Sequence, residues 1–351
     1  MTLLETLGIN LPIIQAPMAG VSSPALAAAV CNAGALGSIA VGAVDAAGAR
    51  RMIAAVRERS ARAFNVNVFC HEPAQAERAV EASWLNHLSP YFAGFDAAPP
   101  RELHEIYKSF VADDAMLAAL IAERPRIVSF HFGLPREEQI RALRAADIVL
   151  LATATSVSEG RAAADAGVNA IVAQGYEAGG HRGVFDPDAE DSCLGTLALT
   201  RILVRELDLP VIAAGGIMDG SGIAAVLRLG ACAAQLGTAF IACAESDADA
   251  GYRDALAGDA ANHTIMTLAI SGRPARCLKN KFTLLGAGVS PRQIPAYPIA
   301  YEAGKALNAA AKAAHDSGYA AHWAGQGAPL FRALPAGELV AILARELNEH
   351  A

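Results

Sequence analysis

The feature that most constrains the fold is a series of eight short apolar runs separated by helix-like segments. The runs lack the polar–apolar alternation of a half-exposed strand, which is typical of strands buried on both faces of a parallel sheet. Segments with helical periodicity lie between most of them. The runs cover residues 12–18, 36–42, 63–69, 126–133, 148–154, 170–174, 210–216 and 233–240.

Eight strand–helix units in succession predict an α/β protein with a (β/α)8 barrel of the TIM type and a smaller, mainly helical cap region. A doubly wound open sheet is the alternative, although no GxGxxG sequence follows the first strand. We expect the barrel in residues 1–242, the cap region in 243–330, and a C-terminal helix in 331–351 that packs on the barrel.

One long interval interrupts this alternation, between the third and the fourth apolar run. Helical periodicity over residues 101–123 predicts a helix that contains Tyr107. Trp84, Tyr91 and Phe92 lie before that helix, in a segment that we expect to be less regular.

Composition excludes several classes of function. The net charge of −7 and the lack of a long basic run argue against a nucleic-acid partner. Six scattered cysteines without a CxxC pair indicate reduced thiols, and no metal-ligand spacing such as HExxH is present. The uncharged stretch 23–44 contains Pro24 and Asn32, so we expect a buried helix and strand there rather than a membrane span. Since no signal-peptide pattern begins the sequence, we expect a cytoplasmic protein without a membrane partner.

The active site of such a barrel forms at the carboxyl ends of its strands. Two glycine-bearing segments follow the seventh and eighth strands, which is the usual position of a phosphate site. A phosphorylated planar cofactor suits these segments, and a phosphosugar fits them nearly as well. The residues expected at this face are Ala16, Pro17, Met18, Asn67, His131, Gln174, Gly179, Gly180, Gly215, Gly216, Gln235, Leu236, Gly237 and Thr238.

A glycine-rich loop after the sixth strand carries His181, which can exchange a proton near neutral pH. Gly179 and Gly180 have no Cβ, so a flat ligand could approach the backbone closely there. Arg182 and Glu177 are expected to form an ion pair that stabilises the loop.

Four segments together resemble the motifs of class I nitronate monooxygenases, formerly called 2-nitropropane dioxygenases. The resemblance extends from about Leu11 to Lys305 and is reinforced by Tyr297, Tyr301 and Lys305. Relatives such as FMN-dependent enoyl-acyl-carrier-protein reductases and NADH:quinone reductases share the glycine–histidine motif. The four segments are Gln15–Gly20, Ser129–Gly133, Gln174–Gly183 and Ala213–Ile217.

The resemblance implies an FMN enzyme that oxidises alkyl nitronates, such as propionate 3-nitronate, with O2 to carbonyl compounds and nitrite or other nitrogen oxides. It implies that His181 lies near the reactive edge of the flavin and that Lys305 could hold a substrate carboxylate. Tyr107, Tyr297 and Tyr301 would donate hydrogen bonds or form the pocket wall, and His131 is either a substrate contact or a core residue at a strand end. By the same analogy FMN contacts the barrel-face residues named above, with Ala16, Pro17 and Met18 lining the ring.

Two other hypotheses remain open. One is a flavin reductase that uses NAD(P)H to reduce a quinone or an enoyl thioester. The other is a non-enzymatic flavin- or phosphate-binding protein on a retained barrel. The sequence does not fix the oligomeric state, and a homodimer is compatible with it.

Overall fold

A computed structural model describes residues 2–350 as a parallel barrel with a smaller cap over one end. Eight parallel strands form the main sheet, in the order β1-β9-β8-β6-β5-β4-β3-β2. Three antiparallel strands form a second sheet, in the order β10-β11-β7. The strands are β1 Ile13–Gln15, β2 Ser38–Ala40, β3 Asn65–Phe69, β4 Ile127–His131, β5 Val149–Ala154, β6 Ala170–Gln174, β7 Gly180–His181, β8 Val211–Ala214, β9 Ala233–Leu236, β10 Thr264–Thr267 and β11 Ala275–Leu278.

The main sheet closes between its first and second strands. The Leu36 N–H donates to the carbonyl of Ile13 at 3.0 Å, and the Gln15 N–H donates to the carbonyl of Leu36 at 2.8 Å. A parallel bridge therefore joins Ile14 to the residue that leads into β2. Each of the eight predicted runs contains one strand of this sheet, which confirms the predicted barrel. The eighth run is only half strand, because residues 238–241 turn into a short helix.

Helices follow the barrel strands and also build the cap. Most begin at a side chain that accepts a hydrogen bond from the first turn, as Ser23, Asp45, Ser156 and Asp219 do. The helices are α1 Leu3–Leu7, α2 Pro24–Asn32, α3 Ala46–Arg57, α4 Arg78–Ala93, α5 Asp114–Glu123, α6 Glu137–Ala145, α7 Val157–Asp165, α8 Thr196–Glu206, α9 Gly220–Arg228, α10 Thr238–Ile241, α11 Ala250–Ala257, α12 Lys281–Leu285, α13 Ile299–Ala313 and α14 Ala336–His350.

The long interval after β3 differs from its prediction. The expected helix over 101–123 is wrong for its first half, because α5 starts only at Asp114, where Asp113 accepts a hydrogen bond from the Met116 N–H at 3.2 Å. Residues 101–109 are irregular, so Tyr107 stands on a loop. The segment expected to be irregular is the helix α4, whose Trp84 and Phe92 are buried.

Two apolar cores hold the barrel together. Its interior contains Ile14, Leu36, Leu151, Val172 and Ile212, all of them buried. A second layer lies between the sheet and the surrounding helices. Within residues 2–350, no helix combines the length and the apolarity that a membrane crossing requires.

The cap is joined to the barrel through the loop after β6. His181 pairs with Ala275 and Gly180 pairs with Arg276, so β7 forms one edge of the cap sheet. Behind this sheet α13 packs against α4, which comes from the interval after β3. The cap therefore draws on residues before 242 as well as after it, and the exact domain boundaries stay a prediction.

Candidate active site

His181 lies at the junction of barrel and cap, where it pairs with Ala275 of the cap sheet. Its Nε2 lies 2.9 Å from the Oγ of Ser271, a fully buried residue of the cap. Burial lowers the pKa of His181 to about 3, and His131, Arg273 and His71 add to the effect because their positive charges would repel an imidazolium. His181 is therefore neutral at physiological pH.

Aromatic rings surround this imidazole. Phe132 stands at right angles to it, with the ring centroids 5.6 Å apart. Tyr297, Tyr301 and Trp323 lie with their centroids 5.3, 6.0 and 5.0 Å from it. These apolar walls exclude water from the imidazole, which is the physical reason that its charged form is disfavoured.

Three tyrosines form a cluster beside His181. Burial raises the pKa of Tyr107 to about 12 and that of Tyr297 well above its usual value, so both keep their protons. Neither hydroxyl is hydrogen-bonded to another group of residues 2–350, whereas the Tyr301 hydroxyl accepts a hydrogen bond from Trp323 Nε1 at 3.3 Å. Tyr107 and Tyr297 can thus each donate a hydrogen bond to a ligand.

Lys305 is the cation that lies over the rings of two of these tyrosines, Tyr107 and Tyr301. It stands one helical turn after Tyr301 on α13, as the predicted shared helix face requires. Its Nζ lies 4.8 Å from the ring centroid of Tyr107 and 5.5 Å from that of Tyr301. Across the part of the chain that the structure describes, Lys305 has no carboxylate within ion-pair distance. Partial burial lowers the pKa of Lys305, as expected for an ammonium that lacks a counterion.

A cleft of about 200 Å³ leads from the protein surface to Tyr301 and Lys305. Its walls come from α13 and from the loops at residues 19–21, 247–252 and 319–323. The cleft is large enough for a small molecule, and Lys305, an exposed residue of its wall, gives it a positive charge.

His131 lies beneath His181 rather than beside it. Its Nδ1 is 3.1 Å from the hydroxyl of Thr153 and its Nε2 is 3.3 Å from the carbonyl of His181. Both ring nitrogens are engaged in this way, so His131 stabilises the loop that carries His181. The predicted contact of His131 with substrate stays a prediction. Both ring nitrogens are already engaged, so neither is free to hydrogen-bond to a substrate.

The glycines of the His181 loop do not all leave room for a flat ligand, as the sequence suggested that they would. A Cβ on Gly179 would lie 2.4 Å from the N of Gly325, so this glycine admits another stretch of backbone rather than a ligand. Gly180 has φ +74°, and Gly215 and Gly216 have φ +125° and +70°, conformations that favour glycine. These loop glycines are therefore required by the shape of the backbone itself.

Two loops retain unpaired donors at the predicted phosphate position. The N–H groups of Gly215, Gly216 and Gly237 make no hydrogen bond to any group of residues 2–350. At the start of α9, the Asp219 carboxylate accepts the Gly222 N–H at 2.8 Å and the Glu346 carboxylate accepts the Gly220 N–H at 2.9 Å. The structure thus fits an anion held by loop amides.

The amides predicted to hold the cofactor differ in their availability. Gln174 donates through Nε2 to the carbonyl of His181 at 3.0 Å and accepts the Gly183 N–H through Oε1 at 2.7 Å, so it mainly fixes the loop. Asn67 donates through Nδ2 to Ser129, at 2.9 Å from Oγ, which leaves its Oδ1 as a free acceptor. Asn67 can therefore receive a donor from a planar ring above the barrel.

The loop after β1 completes the floor of the site. The hydroxyl of Ser22 accepts the Met18 N–H at 2.9 Å and donates to the carbonyl of Ala16 at 3.2 Å, which fixes the turn at Pro17. A Cβ on Gly237 would stand 3.5 Å from Ala16 and 3.6 Å from Met18, so the loops after β1 and β9 are neighbours. Gln235 and Leu236 end β9 beside Thr238, as the predicted site requires.

The expected pair between Arg182 and Glu177 is wrong. Arg182 forms a bidentate pair with Asp191, with Nε and Nη2 at 2.7 and 3.0 Å from the carboxylate oxygens. Glu177 accepts instead from the N–H and the hydroxyl of Thr196. Both contacts still brace the loop, because each residue ties it to the chain that follows.

Several residues of the site were not predicted. They are Ser271, Arg273, Trp323 and His71, for none of which a local sequence pattern indicated a role. The buried guanidinium of Arg273 stacks 4.4 Å from the ring centroid of Phe132. Phe132 itself has φ +72°, which is uncommon for a residue with a side chain, and its place after the histidine in Ser129–Gly133 was the one available hint.

Comparison with known proteins identifies close relatives. A family model described as nitronate monooxygenase matches residues 1–346. The chain is 63% identical over 347 residues to a nitronate monooxygenase of Paraburkholderia phytofirmans, covering 99% of this chain and 95% of that protein. It is 54% identical to a nitronate monooxygenase of Pseudomonas aeruginosa, covering 97% of both chains.

Solved structures give the same picture at the level of fold. Nitroalkane oxidase from Streptomyces ansochromogenes superposes with a TM-score of 0.89 at 42% identity, covering 99% of this chain and 98% of that one. FabK from Thermotoga maritima superposes with a TM-score of 0.76 at 28% identity, covering 99% and 96%.

Proposed function

Because the chain belongs to the nitronate monooxygenase family, we propose that this oxidoreductase uses FMN and O2 to oxidise alkyl nitronates. The products are a carbonyl compound and nitrite or other nitrogen oxides. Propionate 3-nitronate is the substrate to test first, because it carries a carboxylate that Lys305 could bind. The protein would act in the cytoplasm on small molecules, and its mass in solution would distinguish a monomer from a homodimer.

One observation carries this proposal. A neutral imidazole, two free phenol hydroxyls and a lysine without a counterion lie in one chain of contacts, in which His181 meets Tyr297, Tyr297 meets Tyr107, and the Lys305 ammonium lies over the Tyr107 ring. Such a set suits a small anion that spreads its charge over oxygens, because hydroxyls can donate to those oxygens and the ammonium balances the charge. A nitronate with a distal carboxylate has both features.

The barrel face suits FMN. The free N–H groups of Gly215, Gly216 and Gly237 could hold its phosphate. Asn67 could accept from the ring, above a floor of Ala16, Pro17 and Met18. When bound there, FMN would supply the one-electron chemistry with the nitronate and with O2 that no side chain can perform.

The protonation state of His181 narrows its role. Because the pKa of His181 lies near 3, it does not carry a standing positive charge in the free protein. It can instead take a proton from a neutral nitroalkane, and the nitronate formed beside it would then stabilise the imidazolium. With a preformed nitronate, it would act as a hydrogen-bond partner that orients the anion.

Ser271 controls which ring nitrogen is available. Its Oγ lies 2.9 Å from Nε2 of His181 and 3.2 Å from the carbonyl of Arg273. When the hydroxyl donates to that carbonyl, Nε2 carries the hydrogen and Nδ1 presents its lone pair. Ser271 is thus a positioning residue for His181.

A reductase that uses NAD(P)H is the second candidate, since FabK from Thermotoga maritima shares the fold at lower similarity. Its weaker likeness, beside relatives at 63% and 54% identity, favours the nitronate reaction. The two candidates differ in the compound that first reduces the flavin.

The test begins with the purified protein, whose visible spectrum and heat-released flavin identify the cofactor. We expect FMN at about one per chain, as for a tight non-covalent site. Anaerobic mixing with propionate 3-nitronate should bleach the flavin within seconds, and NADH should do so far more slowly. Bleaching by NADH alone would favour the reductase, and a colourless protein that cannot be reconstituted with FMN would contradict both.

A further inference from the structure

Residues Ala324–Gly327, called the strap here, leave the cap and cross three loops of the barrel. The Gly325 N–H donates to the Thr238 hydroxyl oxygen at 2.9 Å. The Gln326 N–H donates to the carbonyl of Glu177 at 2.9 Å. One short segment thus contacts the loops after β6 and β9, and Gly327 extends it to the loop after β8.

The strap and the loops approach so closely that glycine is needed on both sides. A Cβ on Gly325 would lie 2.8 Å from the carbonyl oxygen of Glu177, and one on Gly179 would lie 2.4 Å from Gly325 N. A Cβ on Gly327 would lie 2.8 Å from the carbonyl oxygen of Gly216. These distances show that the strap is packed onto the glycine loops rather than resting above them.

Unpaired donors remain on both sides of this contact. The side chain of Gln326 is exposed and makes no hydrogen bond to any residue from 2 to 350. In the same part of the chain, the N–H of Gly327 is also unpaired, as are those of Gly216 and Gly237 opposite. Thr238 accepts the strap N–H through its oxygen, so its hydroxyl hydrogen is free to donate elsewhere.

We propose that the strap completes the phosphate end of the FMN site, with the Gln326 side-chain amide and the Gly327 N–H donating to the phosphate. The inference rests on the proposed FMN function. The loops 215–216 and 235–238 contain no lysine or arginine. A dianionic phosphate there depends on the number of neutral donors around it, and the strap adds donors that the barrel loops lack.

The experiment compares FMN with riboflavin, which has the same ring and no phosphate. Flavin is removed from the full-length protein, and each flavin is titrated back by the quenching of its fluorescence. Gln326→Ala should raise the Kd for FMN by ~10- to 100-fold, the effect of losing a hydrogen bond to a charged group. The Kd for riboflavin should not change. Gln75→Ala, at an exposed glutamine in another loop, is the matched control and should leave both values unchanged.

A second variant tests whether the Gln326 side chain lies beside the phosphate, which removing the side chain alone does not show. Gln326→Glu keeps the shape of the exposed side chain and places a carboxylate where the phosphate binds. FMN should then bind more weakly than to Gln326→Ala, with a loss that shrinks as salt is added, because salt screens the repulsion. Equal losses for FMN and riboflavin, or no loss for FMN, would overturn the assignment of the strap. If the unmodified protein binds neither flavin, the proposed function fails and the strap's role fails with it.

Discussion

At the scale of single residues, the pKa of His181 is set by the groups that pack around it in the fold and not by its neighbours in the sequence. Burial within a wall of aromatic rings keeps the imidazole neutral, and the charge of Arg273, joined by His131 and His71 once they are protonated, adds to the effect. The sequence suggested a histidine that titrates near neutral pH, and the structure lowers its pKa to about 3. Ser271 and Arg273, which contribute to this environment, come from a segment about 90 residues later, so no local pattern could reveal them.

His181→Asn should keep FMN bound and reduce turnover. Loss of a general base typically lowers rates by ~10² to 10⁴-fold, so we expect that loss with a neutral nitroalkane. A preformed nitronate needs no deprotonation and should lose less. The measurement is steady-state turnover on both substrates at equal flavin content. Unchanged rates on both would remove His181 from the mechanism.

Lys305→Met should distinguish an anchor from a structural lysine. Lys305 has no counterion in the structure, so a substrate carboxylate is the natural partner for its ammonium. The variant should raise KM for propionate 3-nitronate about tenfold or more and leave KM for a simple alkyl nitronate nearly unchanged. Lys312→Met, on the same helix but paired with Asp249, serves as the control. Equal effects of Lys305→Met on both substrates would assign the lysine to packing.

At the scale of elements, the barrel was predictable and the cap was only partly so. Each of the eight apolar runs contains a strand, because a strand buried on both faces is encoded by a short continuous run of apolar residues. Helix α4 was missed because its stability comes from packing against α13, which is distant in sequence, and Pro90 interrupts its pattern. The irregular loop that carries Tyr107 was wrongly predicted as a helix. Its apolar residues are spaced like those of a helix by chance, and such spacing alone does not make a segment helical.

The contact between the strap and the His181 loop can be tested by adding one methyl group. Gly179→Ala places a Cβ 2.4 Å from the backbone of Gly325, which cannot rotate away. We expect a loss of ~1–3 kcal/mol in the free energy of unfolding, the usual cost of overpacking. Gly337→Ala is the control, because that Cβ meets no atom within 4 Å beyond its chain neighbours and its own helix backbone, and alanine favours the helix. Urea denaturation of both variants measures the free energy of unfolding. A Gly179→Ala protein as stable as the unmodified protein would contradict the packing described above.

At the scale of the whole molecule, buried histidines make the fold sensitive to acid. The pKa values of His71, His131 and His322 lie near 4 and that of His181 near 3, all below the ordinary value of about 6.5. Below pH 6.5 the unfolded chain binds protons at these sites while the folded chain does not. Stability should therefore fall as the pH drops from 6.5 toward 4, by about 1.4 kcal/mol per pH unit for each histidine that remains neutral in the fold.

The pH dependence of the urea midpoint measures this effect. His71→Asn should make the stability curve shallower by about one proton, because that residue no longer titrates. A midpoint that is flat between pH 6.5 and pH 4 would show that the buried histidines do not limit acid stability.

The strap also sets an order of events during synthesis on the ribosome. The last barrel strand ends at Leu236, whereas the residues that cover the glycine loops begin at Ala324. At ~5–20 residues per second, the barrel emerges with these loops uncovered for roughly 4 to 18 seconds. A chain stalled in that interval would present Gly179 and Gly216 without their packing partners. Nascent chains arrested before and after the strap should therefore differ in how readily a protease cuts the loop that carries His181.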